Sequence, residues 1–130
     1  MRYGLLVKGA PYSSQASHSA LRFAAALVAR GHRLKCVFFY HDGVYNAARL
    51  AAPPQDEPHL YDAWRSLHDE HGTQLQVCIA AALRRALLDS REAERHGKSG
   101  HSVEPPFELT GLGQLIDLGR EVDRLVTFAP

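Results

Sequence analysis

The chain has 130 residues, with 15 lysines and arginines against 14 aspartates and glutamates, 8 histidines and only 2 cysteines. That length suits one domain spanning 1–130, and 45% hydrophobic with 22% charged residues is the makeup of an ordinary soluble globular protein. A formal net charge of +1 gives no electrostatic reason to expect a nucleic-acid or membrane-surface binder, two cysteines are too few for a disulfide scaffold or a four-cysteine zinc site, and no apolar run approaches the roughly 20 residues of a membrane-spanning helix.

The opening residues, Met1 to Lys8, have a short apolar core but no small-residue cleavage site, so no secretory signal peptide is expected. The expected setting is the cytoplasm, where thiols stay reduced and a cysteine matters through its reactivity. Tyr3 to Lys8 reads as a buried strand. Gly9 to Ser14 is a turn-rich loop whose serines can cap a helix. From about Gln15 to Arg30 the spacing predicts a helix with Leu21, Ala24, Ala25 and Val28 on its buried face, ended by Gly31 as a left-handed cap.

Arg33 to Tyr40, with four consecutive large apolar residues, is the clearest strand; His41-Asp42-Gly43 ends it as a loop. Ala51 to Pro58 contains Pro53, Pro54 and Pro58 and cannot be regular helix. Leu60, Ala63, Trp64 and Leu67 then repeat at helical spacing up to Gly72. Leu75 to Ile79 reads as a short strand, and Ala80 to Leu88 as a helix directly after it. Asp89 with Glu92 resembles a capping box for a further short helix ending at Gly97. Lys98 to Pro106 is the loosest stretch. Phe107 to Leu109 is a fourth strand, Thr110 caps a helix from Gly111 to Glu121, and Arg124 to Phe128 is the last strand. Strands alternating with helices predict a three-layer α/β/α sandwich with a mostly parallel sheet of about five strands.

In such sheets, ligands bind outside the carboxyl ends of the strands. That rule separates the two cysteines. Cys36 lies in the middle of a strand and reads as a small buried hydrophobe. Cys78 lies at the carboxyl end of its strand, immediately before a helix, where unpaired backbone N–H groups favour a thiolate. Tyr12, Ser13 and Ser14, His41 and Asp42, and Gly111 with Gly113 converge on the same edge. His41 and Asp42 are adjacent on extended backbone, so both reaching one thiol is awkward, and a loop-end polar pair is the better reading. His68 and His71 could touch one metal ion, but no third ligand accompanies them, and a solvated helix face is the better reading. Arg84 and Arg85 read as a solvated charge pair, with a partner contact as the alternative. No glycine-rich phosphate loop and no Cys-x-x-Cys pair is present. A lone thiol at a ligand edge is either a nucleophile that needs a base or a carrier that accepts sulfur as a persulfide. The absence of a convincing base favours the carrier.

Val37-Phe38-Phe39-Tyr40-His41-Asp42-Gly43-Val44-Tyr45-Asn46, Val77 to Arg85 and Gly111-Leu112-Gly113-Gln114-Leu115 together resemble the DsrE/TusD family of sulfur-relay proteins. The resemblance runs over essentially the whole chain and includes Pro54-Gln55-Asp56-Glu57. It implies Cys78 as the sulfur-accepting catalytic residue, no cofactor and no metal. It also implies a hetero-hexamer with TusC/DsrF-like and TusB/DsrH-like subunits. Sulfur would come from a TusA-like donor and leave to a TusE/DsrC-like acceptor, without direct nucleic-acid or membrane contact. The implied end use is 2-thiolation of tRNA wobble uridine; the alternatives are dissimilatory sulfur oxidation in a DsrEFH complex and a non-catalytic interaction subunit. Many members carry Gly after the double arginine, where this chain has Ala86. A flavodoxin-like mononucleotide binder is a further alternative that the fold class permits.

Overall fold

The computed structural model describes residues 1–130. Five parallel strands, β1 (Arg2–Val7), β2 (Arg33–Phe39), β3 (Gln74–Cys78), β4 (Phe107–Thr110) and β5 (Arg124–Phe128), form one sheet in the order β4-β3-β2-β1-β5. The helices are α1 (Ala16–Ala29), α2 (Leu60–His71), α3 (Ile79–Leu83), α4 (Ser90–Arg95) and α5 (Gly113–Glu121), with a 3-10 helix over His41–Ala47. The α/β class with a parallel sheet is as the sequence predicts.

Side-chain alternation divides the sheet into two unlike faces. Tyr3 packs edge-on against Phe23 of α1, and Phe39 packs edge-on against Trp64 of α2. The register aligns Tyr3, Leu5 and Val7 with Leu34, Val37 and Phe39, so these residues share the face covered by α1 and α2. Gly4 faces the other way. A side chain there would meet Leu118 of α5 at 3.0 Å, so glycine lets this helix settle onto the sheet. The reversed step from β4 to β5 carries α5 to this second face, as right-handed crossovers require.

The helix boundaries show where local preference was overruled. The buried face of α1 is Ala16, Ser17, Ala20, Ala24 and Leu27; Leu21 and Val28 are half-buried and Ala25 is exposed, so the predicted stripe was rotated. Alanines are too frequent in this helix for hydrophobicity alone to mark its inner side. Instead of a loop, His41–Ala47 forms the 3-10 helix, whose Gly43 lies directly against β1. A Cβ at Gly43 would stand 2.1 Å from the Val7 carbonyl oxygen, so no other residue fits.

The helix expected to run from Ala80 to Leu88 stops at Leu83. Leu87 N–H donates to the Ala82 carbonyl at 2.9 Å and Ala86 N–H to the Leu83 carbonyl at 3.3 Å, the paired bonds of a Schellman motif. The residue that turns the chain is Ala86, at φ 63°. Left-handed backbone favours glycine there, which gives a physical reason for the glycine that many members of the resembled family carry. Near the end of the chain, Leu112 rather than Thr110 precedes α5. By contrast, α2 starts and ends as predicted, with Gly72 left-handed at φ 70°. Asp89 caps α4 by accepting from Glu92 N–H at 2.8 Å.

Candidate functional site

Both cysteines are free and buried. Cys36 is 1% exposed, in the middle of β2, and its thiol donates to Gln76 Oε1 at 3.4 Å. Burial pushes this thiol from its ordinary 9.0 up to about 12, with the Gln76 hydrogen bond only partly opposing the shift. It is a neutral core group at physiological pH, as its mid-strand position predicts.

Cys78 is the last residue of β3 and pairs with Thr110, the last residue of β4. Alternation along β3 puts Gln74, Gln76 and Cys78 on the face that carries α5. Cys78 also precedes α3 as its N-cap residue, with φ −61° and ψ 117°, and its side chain makes no capping hydrogen bond. Because α3 has five residues, the aligned peptide dipoles behind Cys78 span little more than one turn. The residue is 3% exposed.

Two segments frame this strand end. The first is the 3-10 helix. Arg85, expected to be solvated, instead reaches across with its Nε 2.9 Å from Asp42 Oδ1, while Nη1 donates to the Ala81 carbonyl of α3 at 2.9 Å. The guanidinium thereby fastens the segment after β3 to the segment after β2. Asp42 is occupied by this pair, and His41 stacks on Tyr40 with ring centroids 4.2 Å apart, its backbone at φ 50°. The two residues serve separate contacts. The second segment is Gly111-Leu112-Gly113, which leaves β4 beside Cys78. Leu112 is exposed, and side chains added at either glycine would meet nothing within 4 Å.

Beneath the 3-10 helix lies a fully satisfied polar network. Asn46 Nδ2 donates to Ser17 Oγ and to the Gly43 carbonyl, each at 2.9 Å, and Asn46 Oδ1 accepts from Trp64 Nε1 at 3.0 Å. Ser17 in turn donates to the Gly9 carbonyl at 2.8 Å. One asparagine therefore holds the 3-10 helix against both α1 and α2. Sequence reasoning missed this hub; a polar residue inside an otherwise apolar segment (Val44 to Ala47) was the available signal.

The other predicted residues scatter. Tyr12 donates to the Pro58 carbonyl at 2.9 Å and accepts from Leu60 N–H at 3.1 Å, tying its loop to α2. Ser14 Oγ accepts from Ala16 N–H at 3.3 Å. His68 Nδ1 lies 2.9 Å from the Thr73 carbonyl, whereas His71 lies near Glu70, so the two imidazoles serve different contacts. The strand order reverses between β1 and β5, the position where mononucleotide folds open a crevice. Here a Cβ on Gly9 would already meet Ala16 at 2.5 Å and Ser14 at 2.7 Å. The four cavities lie elsewhere, around the segments that follow Cys78 and precede β4.

Comparison with known proteins agrees with this architecture. A solved structure described as the ychN protein from E. coli superposes with a TM-score of 0.75, covering 98% of this chain and 99% of that one at 19% identity, which shows a shared fold. Sulfurtransferase TusD of Klebsiella pneumoniae subsp. pneumoniae is 49% identical over 128 residues, spanning 98% of this chain and all of that protein. A protein named DsrE from Allochromatium vinosum is 44% identical over 128 residues, spanning 98% of both chains. The family model described as DsrE/DsrF-like matches residues 1–128, and the chain belongs to that family.

Proposed function

We propose that this chain is a sulfurtransferase subunit of a sulfur relay and that Cys78 carries the sulfur as a persulfide. The observation that carries the reading is the contrast between the two thiols: Cys36 lies mid-sheet with its pKa raised to about 12, and Cys78 lies at the strand end between two connecting segments. Full-length similarity to a protein named sulfurtransferase TusD supports the activity.

The Cys78 thiolate attacks the outer sulfur of a donor persulfide. A new S–S bond forms, the donor's S–S bond breaks, and the donor leaves as a thiolate. An acceptor thiolate then attacks the outer sulfur of the Cys78 persulfide, takes it and regenerates the Cys78 thiolate. Each step exchanges one S–S bond for another, so no oxidant or reductant is consumed. Because Cys78 is 3% exposed, the residues over it must part to admit the second sulfur, and the same enclosure would protect the loaded persulfide from stray thiols.

The donor is proposed to be TusA-like and the acceptor TusE/DsrC-like, with TusC/DsrF-like and TusB/DsrH-like subunits completing a hetero-hexamer in the cytoplasm. No helix is long and apolar enough to cross a membrane. The favoured end use is 2-thiolation of tRNA wobble uridine; dissimilatory sulfur oxidation is the alternative that the family resemblance implies. Sulfite-reductase genes in the neighbourhood would select the latter.

Intact-mass spectrometry after incubation with a persulfide donor tests the assignment. The wild type should gain one sulfur atom, Cys36→Ser should gain it too, and Cys78→Ser should not. Any other pattern rejects Cys78 as the carrier. The burial of Cys78 favours a second reading, a non-catalytic interaction subunit, which predicts slow alkylation of Cys78 and no sulfur uptake.

A further inference from the structure

The largest cavity, about 770 Å³, opens at the far end of α3 from Cys78. Leu83 and Leu88 provide half-buried apolar walls, and Arg84, His96, Lys98 and Ser99 surround them. No acidic residue lines it. His96 already has a carboxylate 3.7 Å away on buried Glu92, whereas Arg84 and Lys98 are exposed and take part in no ion pair. The volume lies in the range of pockets that take ligands of several groups, about 300–1,000 Å³, and exceeds what a single oxoanion fills.

We propose that this hollow docks an acidic, leucine-bearing peptide segment of the protein that exchanges sulfur with Cys78. Charge complementarity selects an anionic occupant: two unpaired cations sit over an apolar floor that no acidic residue lines. A peptide fits better than a nucleic acid, because no phenylalanine, tyrosine or tryptophan lines the hollow to stack a base and the chain as a whole carries a formal charge of only +1. The leucine walls suit an aliphatic side chain between the acids. The five residues of α3 separate the hollow from Cys78, a rise of about 8 Å, which two or three extended residues span. A segment anchored here therefore starts close to the strand end that carries Cys78. The identity of the partner rests on the sulfur-carrier reading; the acidic character of the segment does not.

The test uses the full chain and a short fluorescein-labelled peptide of leucine and glutamate, followed by fluorescence anisotropy. The glutamine counterpart of the peptide should bind about ten-fold more weakly, and Arg84→Glu with Lys98→Glu should weaken binding of the acidic peptide by about the same factor. The milder pair Arg84→Gln with Lys98→Gln should fall between. Sulfur uptake by Cys78 from a small-molecule persulfide donor should be unchanged in all of these variants. Equal binding of the glutamate and glutamine peptides, or no effect of the charge reversal, overturns the proposal. So does tighter binding of a short single-stranded RNA that the same reversal abolishes. If the peptide binds as expected but the wild type takes up no sulfur, the docking site stands and the sulfur-carrier reading falls.

Discussion

On the face of the sheet that α1 and α2 cover, Leu5, Val7, Val37 and Phe39 are all fully buried. On the opposite face α5 is a single nine-residue helix, and β3 and β4 present Gln74, Gln76, Glu108 and Thr110, none of them buried. Polar strand positions are what a sheet shows where no layer covers it. The first face carries the larger packed layer, although Phe38 on the second is also fully buried. The second holds both cysteines and leaves Leu112, Ile116 and Leu125 exposed. With the proposed sulfur carrier on the thin side, the surroundings of Cys78 could rearrange without dismantling the packed side.

That division can be broken by paired substitutions. Trp64→Ala removes a fully buried indole from the covered face and leaves Asn46 Oδ1 without its donor; a loss of about 3–5 kcal/mol is expected in urea unfolding. Ile116→Ala on the exposed side of α5 should stay within about 0.5 kcal/mol. Comparable losses at both positions would show that the two faces contribute alike.

An alkaline titration of the wild type against Cys36→Ala examines the thin side. The Cys36 thiol is held neutral, its folded pKa of about 12 lying above the ordinary 9.0. Its contribution is therefore complete below pH 9 and is lost as pH climbs toward 12. At pH 11 the loss should be about 2–3 kcal/mol, read from unfolding midpoints, and Cys36→Ala should flatten that part of the profile. A smaller change, of opposite sign, is expected next to the candidate site. Ala86→Gly relieves the left-handed backbone at φ 63° but loosens the unfolded chain, for a net gain of about 0.5–1 kcal/mol. A destabilised Ala86→Gly would mean that the alanine methyl group packs usefully in the hollow.

What could be read from the sequence was whatever repeats locally. Leu60, Trp64 and Leu67 announce α2, and the apolar run from Val37 announces β2, because each pattern is complete within one element. The separation of Cys36 from Cys78 followed from their positions along a strand. The end of α3 was not legible, since alanine, leucine and arginine all favour continuing a helix and the turn rests on one residue, Ala86, in an unfavoured conformation. The Asp42–Arg85 pair joins residues 43 apart and the Asn46–Ser17 bond residues 29 apart. Such pairings depend on how finished elements meet, and neither partner's neighbours in sequence reveal them.

The Asn46 hub also turns the molecule's only tryptophan into a reporter. The Trp64 indole proton is held by a residue 1% exposed and is itself fully buried. It can exchange with solvent deuterium only when α2 parts from the 3-10 helix. Its exchange rate is therefore a clock for the opening of that single junction, readable in one resonance without labelling any other site.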